Sequence, residues 1–178
     1  VKKNGCEDSD DVIVTINNFP TNVSASNDGP ITCSKSTVIL TALPATGVTY
    51  SWSGGGTNQT KSVTSTGTYT VTVTASGGCS ATAQTTVGSD YSKPTPTASN
   101  DGPLTCLKTS VVLTAQPATG VTYSWSGGGT NQTKTVTNPG TYTVTVTKVS
   151  TGCSETATTT VTQDISVPTA SANNDGPL

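Results

Sequence analysis

Five cysteines are the residues best able to do chemistry in this sequence, which has no histidine. They lie at Cys6, Cys33, Cys79, Cys106 and Cys153. Without a Cys-x-x-Cys spacing or a histidine, neither an ordinary zinc site nor a Cys–His nucleophile can be assembled. Structural disulfides are the chemistry that remains, and disulfides indicate an oxidising compartment.

The cysteines sit at fixed places in an internal duplication. The segment Pro44–Lys61 recurs without change as Pro117–Lys134, an offset of 73 residues. A turn sequence, Asn-Asp-Gly-Pro, begins at Asn27, Asn100 and Asn174, so the repeat spacing is 73 and then 74. Fixed periods of this kind indicate a tandem repeat architecture.

We therefore divide the chain into two whole repeats with a partial repeat on each side. The predicted segments are 1–24, the tail of a preceding repeat; 25–98 and 99–172, the whole repeats; and 173–178, the start of a following repeat. Because both end pieces match the internal pattern, we expect a longer array.

Each repeat has the strand pattern of an all-β sandwich. Thr37–Ala42, Val48–Ser53, Gly67–Thr74 and, in the leading piece, Val12–Ile16 read as strands. In the third of these strands valine and tyrosine alternate with threonine, and this period of two excludes an amphipathic helix. The 40 threonines of the chain are suited to the solvent faces of such strands. The shared parity of the aromatic residues predicts core positions for Trp52, Tyr69, Trp125 and Tyr142.

Two disulfide connectivities respect the repeat. Cys33–Cys79 with Cys106–Cys153 closes loops within repeats, whereas Cys6–Cys33 with Cys79–Cys106 joins neighbours. We favour pairing within repeats, because a sandwich can bring the start of its first core strand and the hairpin after its strongest strand to one pole. Cys6 then has its partner upstream.

Other candidate ligand sites are weak. The loop Gly54–Thr60 lacks the Gly-Lys-Ser/Thr of a phosphate loop, so we predict a plain turn, with a glycan contact as the alternative. The acidic cluster Glu7, Asp8, Asp10 and Asp11 is not repeated after Cys79. We expect a solvated strand edge there. The recurring Asp28, Asp101 and Asp175 fit turns better than calcium sites. No metal, cofactor or catalytic residue is predicted.

Composition excludes two classes of partner. Eight basic residues against ten acidic ones give a net charge of −2, and no basic run offers a footprint for nucleic acid. No apolar stretch approaches the roughly 18 residues that cross a bilayer. We expect neither nucleic-acid binding nor membrane insertion.

The segment Ser65–Val73 resembles the tyrosine-corner signature of immunoglobulin domains, with Trp52 in the place of the buried Trp. Ser65 replaces the usual aspartate, and Val71 stands where the inter-sheet cysteine would be. By this resemblance Tyr69 is the corner tyrosine and the fold is a tandem of immunoglobulin-like β-sandwiches.

The pattern TYSWSGGGTNQT, GTYTVTVT and GCSATA is similar to immunoglobulin-like repeats of very large secreted surface proteins of Bacteroidota, including SprB-like gliding adhesins exported by type IX secretion. The resemblance implies an extracellular stalk or filament segment on a bacterial cell surface. Its partners would be neighbouring repeats, filament proteins or surface glycans. The alternatives are a glycan- or protein-binding module and a spacer of a secreted enzyme. Pro94 and Pro96 at the junction favour stiff coupling.

Overall fold

The computed structural model describes residues 2–4, 6–7, 19–173 and 175–176. These residues form strands, turns and loops and contain no helix, so none of them builds a helix long and apolar enough to cross a membrane. Three features expected from the sequence lie outside the described residues: the strand Val12–Ile16, the acidic residues Asp8, Asp10 and Asp11, and Asn174 of the third turn.

The strands follow the chain in two similar series. The first is β1 (Lys2–Lys3), β2 (Cys6–Glu7), β3 (Ser24–Asn27), β4 (Ile31–Thr32), β5 (Val38–Leu43), β6 (Val48–Trp52), β7 (Thr60–Val63), β8 (Gly67–Ala75), β9 (Ser80–Val87) and β10 (Ser89–Asp90). The second is β11 (Thr97–Asn100), β12 (Leu104–Thr105), β13 (Val111–Gln116), β14 (Val121–Trp125), β15 (Thr133–Val136), β16 (Gly140–Lys148), β17 (Ser154–Val161) and β18 (Gln163–Asp164).

The first repeat folds as two three-stranded antiparallel sheets. One sheet has the order β3-β5-β7 and the other β6-β8-β9. Residues opposite each other include Val38 and Val63 in the first sheet and Trp52 and Val71 in the second. This is the strand arrangement of an immunoglobulin-like sandwich, with A, B and E in one sheet and C, F and G in the other. The predicted all-β, immunoglobulin-like fold is confirmed.

Alternation along each strand puts one row of side chains into the core. In β5, Val38, Leu40 and Ala42 are buried, while Ile39 between them is exposed. In β8, the valines face inward, and the outward Thr68 lies opposite Thr86 with their hydroxyl oxygens 3.1 Å apart. The core of this repeat contains Ile31, Val38, Leu40, Ala42, Trp52, Val63, Val71, Val73 and Val87.

The second repeat builds the same sandwich from its own strands. Its sheets are β11-β13-β15 and β14-β16-β17, and β12 pairs with β18 in parallel. Its separate core contains Leu104, Val111, Leu113, Ala115, Trp125, Val136, Val144, Val146 and Val161. Two complete cores within 178 residues explain how a chain so poor in apolar residues folds.

The compact units differ from the sequence repeats in the placement of Thr32–Lys35 and of residues 90–98, both of which belong to the first repeat and fall in the second unit. The first unit holds the described residues up to Ile31 and then Ser36–Ser89. The second unit holds the described residues from Asp90 onward and also the four-residue segment Thr32–Lys35. A short piece of the first repeat is therefore structurally part of the second unit.

Candidate functional site

The structure joins Cys33 to Cys153, a sequence separation of 120 residues. Cys79 and Cys106 are free thiols, the first partly exposed and the second exposed. The predicted pairs within repeats, Cys33–Cys79 and Cys106–Cys153, are therefore wrong. The bond instead connects the amino-terminal cysteine of one repeat to the carboxy-terminal cysteine of the next.

Hydrogen bonds around the disulfide show why Cys33 has this partner. The backbone N–H of Ser34 donates to the Thr151 carbonyl oxygen at 3.1 Å, and the Ser34 hydroxyl donates to the same oxygen at 3.3 Å. A Cβ on Gly152 would lie 2.5 Å from the Cβ of Ser34. Because no residue with a side chain fits that space, glycine before Cys153 is required for the contact. Cys153 itself is only 1% exposed.

The linker after the first repeat also belongs to this site. The Thr151 hydroxyl donates to the Ser92 carbonyl oxygen at 2.9 Å, and the Lys148 ammonium donates to the Ser92 hydroxyl at 2.7 Å. The ammonium of Lys93 lies 3.0 Å from Glu155 and, by this hydrogen bond, holds the pKa of that carboxyl below its ordinary value. The linker is thereby fixed along the second unit.

The loop Gly54–Thr60 is a turn between β6 and β7 whose polar groups are largely used by the fold. Its three glycines have φ between +70° and +106°, a region that side chains disfavour. The Lys61 ammonium donates to the carbonyl oxygens of Ser53 and Gly55, each at 2.6 Å. The Gln59 amide donates to the Ala42 carbonyl at 3.1 Å. These side chains shape the loop, and its residues from Gly54 to Asn58 stay exposed.

The four aromatic residues predicted for the core occupy two kinds of position. Trp52 and Trp125 are each 3% exposed, and each indole N–H donates to a loop carbonyl at 3.0 Å. Tyr69 and Tyr142 pack against the cores and stay partly exposed. Their hydroxyls donate to the carbonyl oxygens of Ser65 and Asn138, four residues upstream, both at 2.8 Å. This is the hydrogen bond of a tyrosine corner.

Replacing Tyr69 with phenylalanine should lower the free energy of unfolding of the first unit by about 1 kcal/mol, the usual net value of one hydrogen bond. Tyr142→Phe should have an equal effect on the second unit. The exposed Tyr91 provides the control, since Tyr91→Phe removes no core contact. Urea denaturation measures the free energy of unfolding of all three variants. A loss as large for Tyr91→Phe as for Tyr69→Phe would refute the stabilising role of the tyrosine corner.

Two of the recurring aspartates, Asp28 and Asp101, close turns. A carboxylate oxygen of Asp101 accepts from the Val112 N–H at 2.9 Å and lies 3.1 Å from the Lys108 ammonium. The Val112 bond first, and Lys108 second, lower the pKa of Asp101 from its ordinary 3.8. Asp28 accepts equivalently from Ile39. Among the described residues no three acidic, cysteine or histidine side chains are grouped as metal ligands.

The lowered pKa of Asp101 gives a pH dependence of definite sign. The stabilisation that the Asp101 carboxylate contributes is complete above pH 3.8, the ordinary pKa. It is lost as the pH falls through the lower pKa that Asp101 has in the folded state. Acidification from pH 5 to pH 2 should therefore weaken the wild type more than Asp101→Asn, whose amide oxygen keeps an uncharged acceptor. Thermal melts at the two pH values measure this difference, and equal losses would contradict it.

No protein-family model and no curated protein matches this sequence. Among solved structures, three N-terminal domains of the bacteriophage RB49 Highly Immunogenic Outer Capsid protein are 21% identical, over 79% of this chain and 58% of that one, with a TM-score of 0.49. The N-terminal four Ig domains of Dscam1 isoform 6.44 are 16% identical, over 74% and 41%, with a TM-score of 0.26.

The fibronectin(III)-like modules of Clostridium thermocellum CbhA are 14% identical, over 78% of this chain and 94% of that one, with a TM-score of 0.30. At these identities the likeness is one of fold. This chain spans little more than half of the phage protein's chain.

Proposed function

We propose that this chain is a structural segment of the stalk of a bacterial cell-surface adhesin, which spaces and presents a distal binding tip. The observation that supports it is the Cys33–Cys153 bond, since a covalent link between successive repeats resists separation along the chain. A module that only bound a ligand would gain stability from such a link but would have no load for it to carry.

An extracellular location agrees with this bond. Disulfides form and persist in secreted and surface proteins and are rare in reducing cytosols. Threonine-covered strands with few charges also suit an element that serves as a spacer. We extend the proposal to surface filaments of the gliding-adhesin kind, because the segments TYSWSGGGTNQT and GTYTVTVT resemble repeats of those adhesins.

The rival function is a glycan- or protein-binding module whose contact loop is Gly54–Thr60. The engagement of Lys61 and Gln59 by backbone carbonyls argues against it. We also propose that the chain has no catalytic activity. The sequence lacks histidine, and the acidic residues described above serve turns and linker contacts.

A binding assay separates the two functions. The oxidised chain, immobilised by its terminus, is tested against a glycan array and against bacterial surface extracts. A stalk segment should show no saturable binding. Saturable binding that is lost in the Asn58→Ala, Asn131→Ala double variant, and kept in Gln84→Ala on β9, would overturn the stalk and establish the loop as a binding site. The Trp52 bond uses only the backbone carbonyl of Asn58, so the double variant keeps the fold.

A further inference from the structure

The hairpins that carry the second cysteine of each repeat differ in length. The Ala75 N–H donates to the carbonyl oxygen of Cys79, four residues on, whereas the Lys148 N–H donates to that of Cys153, five residues on. The extra residue gives the long hairpin Thr151, which is 1% exposed. Cys79 at the end of the short hairpin is a free thiol. The long hairpin is therefore the kind that holds a partner in this structure.

The long hairpin contacts two separate pieces of the first repeat. One piece is the segment Thr32–Lys35, in which the Ser34 N–H donates to the Thr151 carbonyl oxygen at 3.1 Å. The other is the linker residue Ser92. Its carbonyl oxygen accepts from the Thr151 hydroxyl at 2.9 Å, and its hydroxyl accepts from the Lys148 ammonium at 2.7 Å. We call these two pieces together the docking surface.

The first piece recurs in the second repeat as the segment Thr105–Lys108. In the bonded copy the Thr32 N–H donates to the Lys35 carbonyl at 2.9 Å, and the Lys35 N–H donates to the Thr32 hydroxyl at 3.0 Å. Thr105 and Lys108 repeat both bonds at the same two distances. A segment that keeps its shape without a partner loses little conformational entropy when it binds one.

The second piece recurs as the linker after the second repeat. The Ser92 N–H donates to a carboxylate oxygen of Asp90 at 2.9 Å, and the Ser166 N–H donates to that of Asp164 at 3.2 Å. The parallel pairing of β12 with β18 places this linker beside the segment that carries Cys106. The second repeat therefore has a docking surface of its own, with an exposed free thiol on it.

Two residues of this second docking surface differ from the first. Leu107 stands in the place of Ser34, so the hydroxyl bond to the hairpin is lost and the backbone N–H is kept. That N–H now reaches the Thr105 hydroxyl at 3.3 Å, a long bond that a hairpin carbonyl can replace. Val167 stands in the place of Lys93, so the ion pair of that lysine has no equivalent. The linker serine that binds the threonine and the lysine of the hairpin is kept.

We infer that the segment Thr105–Lys108 and Ser166 bind the hairpin of the following repeat, and that Cys106 forms a disulfide with the cysteine of that hairpin. The sequence predicts such a repeat from residue 173 onward. The hairpin that fits is the long kind, ending in Thr-Gly-Cys, because its threonine contacts both pieces of the docking surface. The inference rests on the stalk function proposed above and deepens it, since it assigns a partner within the array.

The bond forms by thiol–disulfide exchange with a small-molecule disulfide such as oxidised glutathione. The Cys106 thiolate attacks one sulfur of glutathione disulfide, forming a mixed disulfide and releasing one glutathione thiolate. The thiolate of the hairpin cysteine then attacks the Cys106 sulfur and releases the second glutathione thiolate. The protons of the two protein thiols pass through solvent to the released thiolates, and the two electrons that the cysteines lose reduce the glutathione disulfide.

A chain of three repeats tests the pairing. Residues 1–172 are followed by a second copy of residues 99–172, which keeps the register of the Asn-Asp-Gly-Pro turn and supplies a long hairpin. Cys6→Ser, and Cys106→Ser in the appended copy, remove two other thiols, and Glu155→Asp in the appended copy marks its cysteine peptide by mass. After refolding in a glutathione buffer, non-reducing peptide mapping should recover Cys33–Cys153 and Cys106 joined to the marked peptide, with Cys79 free.

Two changes in the appended copy test the docking contact without removing a thiol. A Cβ on Gly152 would lie 2.5 Å from the Cβ of Ser34 and 3.1 Å from its backbone nitrogen, and Leu107 has both atoms. Gly152→Ala should therefore lower the equilibrium constant of the Cys106 bond against glutathione about tenfold. Deleting Thr151 should abolish the bond while the repeat still folds, since the first repeat folds with the short hairpin.

Gly120→Ala in the appended copy is the matched control for Gly152→Ala. The two glycines have φ of +73° and +69°, so an alanine strains the backbone equally at both. A Cβ on Gly120 meets nothing within 4 Å among the described residues. The equilibrium constant of the Cys106 bond should be unchanged in Gly120→Ala.

Three results would overturn the inference. One is a Cys106 that stays free, or pairs with any cysteine other than the marked one, while Cys33–Cys153 forms. The second is an equal weakening of the Cys106 bond by Gly120→Ala and Gly152→Ala. Both of these leave the stalk function standing, because the ligand-binding assay decides that function. The third is absence of the Cys33–Cys153 bond, which would remove the support of both proposals.

Discussion

Pulling the oxidised chain from its two termini should release about 400 Å less contour than pulling the reduced chain. The disulfide spans 120 residues, and an extended chain covers about 3.3–3.6 Å per residue. Force applied at the termini passes from Cys33 directly to Cys153, so the residues between them are not stretched. Single-molecule force spectroscopy, with and without reductant, measures this difference.

Two variants control the experiment. Cys153→Ser should release the long contour under oxidising conditions, whereas Cys79→Ser should behave as the oxidised wild type, since Cys79 is free. Equal contour release before and after reduction would show that Cys33 and Cys153 are not joined. Two separate shorter gains, one per repeat, would instead restore the pairing expected from the sequence.

The bond shields most of both sandwiches from load, and it leaves outside the loop β3 and β4 of the first repeat and β17 and β18 of the second. The core strands of the first unit from Val38 onward, and those of the second unit through Lys148, lie between its cysteines. Closing a loop of this length also restricts the unfolded chain, which in the chain-entropy model is worth about 5 kcal/mol. In the stalk that we propose, extension under force would be limited by a covalent bond rather than by β-sheet hydrogen bonds.

The sandwich could be predicted because its signals are local. Alternation in Gly67–Ala75 fixes which side chains enter the core, and the glycine-rich loop fixes where the chain turns. The tyrosine corner also lies within five residues, from Ser65 to Tyr69. Each of these features depends on neighbouring residues only, so the repeat sequence contains all of it.

The disulfide could not be predicted in the same way because its determinants are 120 residues apart. Repeat spacing places cysteines at equivalent positions but does not say which copy supplies the partner. The decisive contacts are between the backbone of Ser34 and the Thr151 carbonyl, and between Ser34 and Gly152. A backbone carbonyl leaves no signature in sequence. The sequence shows a glycine before Cys79 and before Cys153. That glycine is required before Cys153 follows only from the structure, in which Ser34 lies against Gly152.

Truncating either tryptophan should destabilise its own unit by about 3–5 kcal/mol, the usual effect of removing a large buried aromatic side chain. Trp52 and Trp125 occupy equivalent places in two separate cores, so Trp52→Ala should affect the first unit and Trp125→Ala the second. Trp52→Phe should have a smaller effect, because phenylalanine keeps most of the packing and loses the indole bond to the Asn58 carbonyl.

The chain contains two tryptophans, so each alanine variant leaves one fluorescent reporter, and that reporter lies in the other unit. In urea, the Trp125 emission of Trp52→Ala should shift near the wild-type midpoint, while far-ultraviolet circular dichroism shows an earlier transition of the first unit. Trp125→Ala should give the converse result. If the remaining tryptophan instead reported a midpoint lowered as far as the circular dichroism transition, the two cores would unfold as one.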